Sequence, residues 1–483
     1  MIEFSPNWDA YIAEADVLLH RLFPICRSIT GNGVRQTLSI LREQVEFSIH
    51  EVPSGTVCYD WTIPDEWNVR EAYIADSTGR RLIDFQVNNL HLVNYSIPHD
   101  AVMSFTQLRP HLHSLPDLPD AIPYRTSYYD RTWGFCLTHK QLQAFDPHQH
   151  YQVHIDTTLA PGSLTYGEGI LPGTSGQEYI ISTYCCHPSL GNDNLSGVVL
   201  WTLLFKELSR YTLRHSYNFI IVPETIGAIT YLSRNETRAR NYCGGFIPST
   251  VAGPGKFGYK RTFLGNSAIP GINSRANCSA IDRVVYATFR ELNLEFNDYP
   301  FDINGSDERQ YSSPYFRIPI GTICKDKYYE YTYYHTSLDN LDFISADNLV
   351  QTLKLYLLAI EKLEQNKTYR TNLPYGEPML GKRGLYPKIG GSIKQTAADL
   401  YTRHGDRPYE VSSDLPDPPD LPDPPGLLFR TDFIYGNELD AIRWVLFYSD
   451  GQTSLLDIAE KTNLPMRQLS AVAEKLVQHG LLE

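Results

Sequence analysis

Cysteine is scarce in this sequence. There are eight in 483 residues, at positions 26, 58, 136, 185, 186, 243, 278 and 324. That is too sparse for a disulfide scaffold. No Cys-x-x-Cys pair occurs, which argues against a thiolate zinc knuckle. Cys185 and Cys186 are adjacent, so in a strand they face opposite ways and read as buried fillers rather than a redox couple. Long apolar runs are also missing. No stretch approaches the roughly 18 residues needed to span a bilayer. The first residues, MIEFSPNWDAYIAEAD, carry early acids and no basic-then-apolar run, unlike a secretory signal. The expected location is therefore the cytoplasm. Positive charge is in deficit as well: 42 Lys and Arg against 55 Asp and Glu give −13. Nucleic-acid phosphate is not the expected main partner of so acidic a chain, because such binding relies on clustered Lys and Arg.

What remains is ordinary globular composition, 42% hydrophobic and 20% charged. The length suggests about three domains. Residues 1–45 read as helical, interrupted by the glycine-rich ITGNG at 29–33. Residues 46–146 turn to short alternating runs rich in Val, Ile, Tyr and Trp, separated by turns such as DSTGR (76–80). These predict a small antiparallel β domain. Between 150 and 365 apolar strands alternate with helices. EYIISTYCCH (178–187), SYNFIIVPE (216–224) and IPIGTICK (318–325) read as buried strands. Residues 194–208, with Asn194 as N-cap, 281–292 and 346–365 read as helices. Such alternation predicts a doubly wound sheet flanked by helices. DLPDPP repeats in tandem at 414–419 and 420–425, which predicts a stiff solvated spacer. The tail at 454–483 has helix-turn-helix spacing of the winged type, although the chain ends where a wing would be. The expected division is a catalytic α/β domain of residues 1–50 and 147–370, a β domain inserted at 51–146, a linker region at 371–429 and a winged-helix domain at 430–483.

The residues with chemistry to offer fall at predicted strand ends, where open parallel sheets bind ligands. His187 ends one strand and Asp193 follows in the loop. Glu224 ends the next, and GSDERQY (305–311) and YYHTSLDN (333–340) come later. Imidazoles and carboxylates on one sheet edge suit zinc, with one position left for water. Water on zinc reaches a pKa near 7, and a nearby Glu can take its proton. Any one of these residues could equally be structural; the set on successive strand ends is what points to a metal.

HPSLGNDNLSGVVLW (187–201), PETIGAITYL (223–232) and HTSLDN (335–340) resemble the metal segments of the co-catalytic zinc aminopeptidases, the last also shared with glutaminyl cyclases. With CRSITGNGVRQTL (26–38), GSDERQY and YYHTSLDN in order, the layout is similar to bacterial aminopeptidase-like proteins that have an inserted β domain and a C-terminal winged helix. The resemblance implies His187, Asp193 and His335 as metal ligands, Asp193 in the bridging position of the di-zinc enzymes, and Glu224 as the base for the metal-bound water. The sequence departs from the di-zinc pattern twice. Thr225 stands where a ligand Glu would follow the base, and residues 244–262 offer no acid. One zinc per chain is expected, with two as the alternative.

Asp307, Glu308 and Arg309 are candidates for substrate contact, and Asp339 for orienting the His335 imidazole. Arg27 and Arg35 could reach an anionic substrate group. The tyrosines of 327–335 suit a pocket rim with apolar walls and polar tips. The expected activity is zinc-dependent hydrolysis of peptide or other amide bonds, as in an aminopeptidase. The alternatives are hydrolysis, acyl transfer or cyclisation on a metabolite or acylated amino-sugar conjugate, and a binding protein on a reduced peptidase scaffold. The substrate would be a small peptide or amide-bearing metabolite, with no membrane partner. The predicted last helix has only Arg467 and Lys475 as cations, so the tail reads as a docking or homo-oligomerisation unit. The inserted domain is expected to cover one side of the cleft and limit substrate size.

Overall fold

A computed structural model describes residues 2–267, 278–386 and 438–483. The described residues form two compact units. One comprises residues 2–267, 278–289 and 294–364, the other 365–386 and 438–483 with the short segment 290–293. The tandem DLPDPP repeat lies outside the described residues.

The first unit is built on an eight-stranded mixed sheet. In chain order its strands are β1 (Ser48–Pro53), β2 (Ser163–Leu171), β3 (Glu178–Tyr184), β4 (Ser216–Val222), β5 (Tyr242–Phe246), β6 (Phe257–Lys260), β7 (Asn297–Tyr299) and β8 (Ile320–Lys325). They lie side by side as β1-β2-β4-β3-β5-β8-β6-β7. The central β4, β3, β5 and β8 are parallel, while β1 and β2 join antiparallel at one side. In β3 and β4 every residue after the first is buried, which explains their unbroken apolar character. The helices α1 (Trp8–Leu22), α2 (Asn32–Leu41), α3 (Gly197–Leu208), α4 (Ile226–Arg234), α5 (Ala280–Glu291) and α6 (Ala346–Gln365) accompany the sheet. α3 is buried on nearly all sides, and Trp201 within it donates from Nε1 to the Ile181 carbonyl at 3.1 Å. This is the mixed α/β architecture the alternating pattern predicts.

Two local readings shift. The strands stop at Tyr184 and Val222, so His187 and Glu224 sit in the loops just past the strand ends. α3 starts at Gly197, not at Asn194. Asn194 caps nothing; its Nδ2 donates to Thr183 Oγ1 and to the Tyr184 carbonyl, tying the loop back to β3. Gly197 is required there, because a Cβ would lie 2.2 Å from Asn194 Oδ1 and 2.4 Å from the Pro248 carbonyl oxygen.

The β insertion forms a separate four-stranded antiparallel sheet in the order Arg81–Asp84, Glu66–Ala75, His150–Ala160, His99–Ser104. It reaches past residue 146 into His150–Ala160, whose alternating burial is that of a one-sided strand. Its core (Trp67, Ile74, Val153, Ile155) is continuous with that of the main sheet. The ITGNG turn serves this junction. Gly31 has φ +95°, and a Cβ there would meet the Trp67 carbonyl oxygen at 2.2 Å.

The second unit has helices α7 (Glu438–Tyr448), α8 (Leu455–Thr462) and α9 (Met466–Gln478). Ser454 and Asp457 form a capping box on α8. Strand Asp450–Ser454 pairs antiparallel with Thr368–Arg370, and the last residues join the same segment: Arg370 and Glu483 exchange backbone hydrogen bonds at 2.9 Å, and Thr371 bridges Leu482. Lys475 on α9 is paired with Glu438 at 2.6 Å. No helix among the described residues is long and apolar enough to cross a membrane.

Candidate metal centre

The loops following β3 and β4 and the loop before α6 meet beyond the sheet edge. His187 Nδ1 lies 3.6 Å from Asp193 Oδ1, and His335 Nε2 lies 3.0 Å from Asp193 Oδ2. The three donor atoms are within 4.8 Å of one another. His187 Nδ1 and His335 Nε2 are buried and make no hydrogen bond among the described residues. Two imidazole nitrogens aimed at one carboxylate, with no other partner, form a donor set that fits a divalent metal ion. Ligand bonds of about 2.0–2.2 Å would place tetrahedral donors roughly 3.3–3.6 Å apart. On its far side His187 Nε2 faces Glu224 Oε2 at 3.5 Å. Cys186, His187 and Glu224 make a second group of converging donor atoms, with Cys186 Sγ accepting from the Glu224 amide at 3.3 Å.

The electrostatics prepare the donors. Burial pushes the His187 imidazole down to about 4, with His335 and Arg27 adding to it and Asp193 opposing. It is therefore neutral and free to ligate at pH 7. Burial raises the Asp193 carboxyl, but His187, His335 and the Tyr184 hydroxyl outweigh it and hold Asp193 at about 2. Burial, then repulsion from Asp307 and Asp193, lifts the Glu224 carboxyl well above the usual carboxylate range. That is the direction a general acid–base at neutral pH requires.

Around these residues a supporting frame is evident. Tyr184, the last residue of β3, donates to Asp193 Oδ1 at 2.6 Å, and its hydroxyl also bonds Ser249 Oγ. The Tyr184→Phe variant should therefore weaken metal affinity about 10–100-fold with the fold intact, as read by competition against a chromogenic chelator. Affinity within twofold of wild type would remove Tyr184 from this role. Asp339 does not reach the His335 ring. Its carboxylate accepts from the amides of Asn192 (2.6 Å) and Asp193 (3.0 Å) and from Tyr331 (2.8 Å), so it fixes the loop that presents Asp193. The insertion contributes Tyr124, whose amide donates to the His335 carbonyl and whose ring stands edge-on to both His187 and His335. Past β5 the chain carries Pro248, Ser249 and Thr250.

The remaining candidates separate. Arg27 is buried behind the centre, donating from Nε to the His187 carbonyl (2.9 Å) and from a terminal nitrogen to the Leu22 carbonyl (2.7 Å). It holds the His187 backbone. Asp307 accepts from the Thr225 amide at 2.7 Å, beside Glu224, and its Oδ2 is buried without a partner among the described residues. Glu308 turns away to Thr322, Tyr328 and Lys260. Arg309 is exposed and reaches the Ile303 carbonyl.

Arg35 is not brought to the cluster. It forms paired hydrogen bonds with Glu66 (2.7 and 2.6 Å) and Glu51 (3.0 and 3.2 Å). The Arg35 bond, against burial, holds the Glu66 carboxyl at about 2. A folded-state value below the unfolded one contributes stability that is full above about pH 4.5 and lost as the pH falls toward 2. Relative to Glu66→Gln, wild type should be about 1–2 kcal/mol more stable at pH 6, with most of that margin gone by pH 3. Urea titrations at both pH values measure it; a margin independent of pH would contradict the pairing.

Residues 17–366 match the family described as a domain of unknown function, DUF4910. The chain belongs to this family. Residues 367–402 and 431–483 match a winged helix-turn-helix family. A Clostridium acetobutylicum protein, provisionally named a polysaccharide biosynthesis protein with an aminopeptidase-like domain, is 41% identical over 96% of this chain and 95% of its own length. The crystal structure of a provisionally named peptidase from the same organism is 38% identical, with TM-score 0.82 over 99% of this chain and 97% of that one. BSAP, a zinc aminopeptidase from Bacillus subtilis, is 12% identical, with TM-score 0.54 over 75% of this chain and 96% of that one. This last similarity shows the fold. The DUF4910 chain thus has a zinc-aminopeptidase-like α/β domain and a C-terminal winged helix, as its ordered motifs imply.

The sequence motifs do not mark Tyr184, Ser249 or Tyr124. Tyr184 had a signal, since it ends a strand three residues before a candidate ligand. Tyr124 had none, because it enters from a loop of the insertion, next to the bridge between Pro123 and Thr336.

Proposed function

We propose that this protein is a zinc-dependent hydrolase of amide bonds. One zinc ion would be held by His187, Asp193 and His335. The observation that carries this reading is the pair of buried, unpartnered imidazole nitrogens facing Asp193, with Glu224 alongside. A single ion is favoured because Thr225 follows Glu224 and residues 244–262 contain no carboxylate.

The zinc would supply Lewis acidity and a water acidified to a pKa near 7. Glu224 would serve as the general base and then the general acid, taking a proton from the attacking water and returning it to the departing nitrogen as the C–N bond of the amide breaks. Asp339 keeps Asp193 in place, and Arg27 keeps His187 in place.

An amide on a sugar conjugate is the second reading. It is favoured by the tyrosines around the centre and agrees with the name of the Clostridium acetobutylicum relative. The winged helix serves, on this reading, as a docking unit. Its last helix has two fixed cations, Arg467 and Lys475, and Lys475 is paired with Glu438.

Elemental analysis of the full chain, after zinc is offered and excess removed, tests the proposal. One zinc per chain, with turnover of an amide from a panel of aminoacyl amides and N-acetyl amino sugars, is the expected result. A metal-free protein inactive on the whole panel would point to a binding protein instead.

A further inference from the structure

An unbroken series of aromatic rings crosses the metal centre. It starts at Trp61, half-buried, whose ring meets Tyr129 at 5.5 Å. Tyr129 meets Tyr128 at 6.2 Å, and the Tyr128 and Tyr124 hydroxyls bond at 2.6 Å. Tyr124 stands 5.2 Å from both His187 and His335. Beyond the centre, Tyr334 stacks on His335 at 3.9 Å, and Tyr329 follows 4.8 Å further on.

Both ends are open to solvent. Tyr129 is 58% exposed and Tyr329 62%. Tyr329 also has φ +66°. A tyrosine in the left-handed region is held there only when its surroundings impose it, yet this ring gains little burial. The backbone presents it outward at an energetic cost. A substrate bound by one end needs a pocket closed on one side. The two exposed rings, joined through the centre by buried ones, suit an extended ligand that contacts both.

The chemistry of the walls narrows the ligand. Exposed phenols offer a flat apolar face and a hydroxyl on the same ring. A pyranose offers the complement, a C–H face with a rim of hydroxyls. Next to Glu224, Asp307 Oδ2 is buried and unpartnered among the described residues. It can accept hydroxyl or amide hydrogens. We propose that the centre and its two exposed rings bind an oligosaccharide containing N-acylated amino sugars, with one acylamino group at the metal centre. The inference rests on the hydrolase reading above for the fate of that group, but the binding itself can be tested alone.

The test is calorimetric titration of the zinc-loaded full chain with tri-N-acetylchitotriose. Wild type should bind saturably. Tyr129→Ala and Tyr329→Ala should each weaken binding about threefold to tenfold, and the Phe variants should stay within about twofold. The two alanine variants probe opposite ends, so misfolding of one, seen by thermal unfolding, leaves the other. No saturable binding by wild type, or binding unchanged in both alanine variants, overturns the inference. So would failure to bind the sugar while a leucyl peptide amide binds and is lost in the same variants. That last result leaves the hydrolase reading standing, whereas absence of zinc and turnover with sugar binding intact would overturn only the hydrolase reading.

Discussion

Glu224→Gln should lose about 10²–10⁴ in kcat on any amide the wild type turns over, while retaining its zinc. The substitution keeps the shape of the side chain and removes the basic oxygen. General acid–base contributions of this kind are worth about that factor. Glu224 suits the role by position and by environment. It faces His187 at 3.5 Å without being one of the three donors grouped on Asp193. Burial and the neighbouring Asp307 and Asp193 carboxylates raise its proton affinity well above that of an ordinary carboxylate. The metal should stay because His187, Asp193 and His335 are untouched. The measurement pairs kcat and KM with elemental zinc on the same preparation. A fall confined to kcat with zinc at the wild-type level is the expected pattern. Wild-type kcat would remove Glu224 from the base role. Loss of zinc with loss of activity would instead make Glu224 a ligand, and the Cys186–His187–Glu224 group would become the relevant site.

The parts of this architecture that can be read from the sequence are those set by local rules. Apolar runs without alternation mark β3 and β4, buried on both faces. His187, Asp193 and Glu224 follow because they lie just beyond those runs, where parallel sheets gather ligands. What escapes is what distant segments decide. Asn194 has the chemistry of an N-cap, but contacts to β3 claim its side chain. Arg35 has the chemistry of an anion clamp, but Glu51 and Glu66 meet it at the junction with the inserted sheet. Asp339 sits four residues after His335 and could orient it, yet the amides of Asn192 and Asp193 are better placed partners. Tyr124 enters the centre from the insertion, through a strand-like contact between Pro123 and Thr336. No spacing in the sequence records that contact.

Removing either imidazole should abolish stoichiometric metal binding. A three-ligand zinc site uses every donor it has, and outer contacts alone typically tune affinity by about 10–100-fold. Loss of a ligand should therefore exceed about a hundredfold in His187→Ala and in His335→Ala, leaving less than a tenth of a zinc per chain after buffer exchange. The two positions differ in what else they do. His187 is 6% exposed, and its backbone carbonyl anchors the buried Arg27; alanine keeps that carbonyl but opens a void beside it. His335 is 30% exposed and sits at φ +53°. His335→Asn is the sharper experiment, since Asn tolerates the left-handed region and the loop that bears His335 should keep its course. If His335→Asn folds as wild type and binds no zinc, the imidazole is a ligand and not merely a structural wedge against Tyr334. If it keeps one zinc per chain, the ion is held by the Cys186–His187–Glu224 group, and the base would then have to come from elsewhere, with Asp307 a buried carboxylate left unpaired at Oδ2.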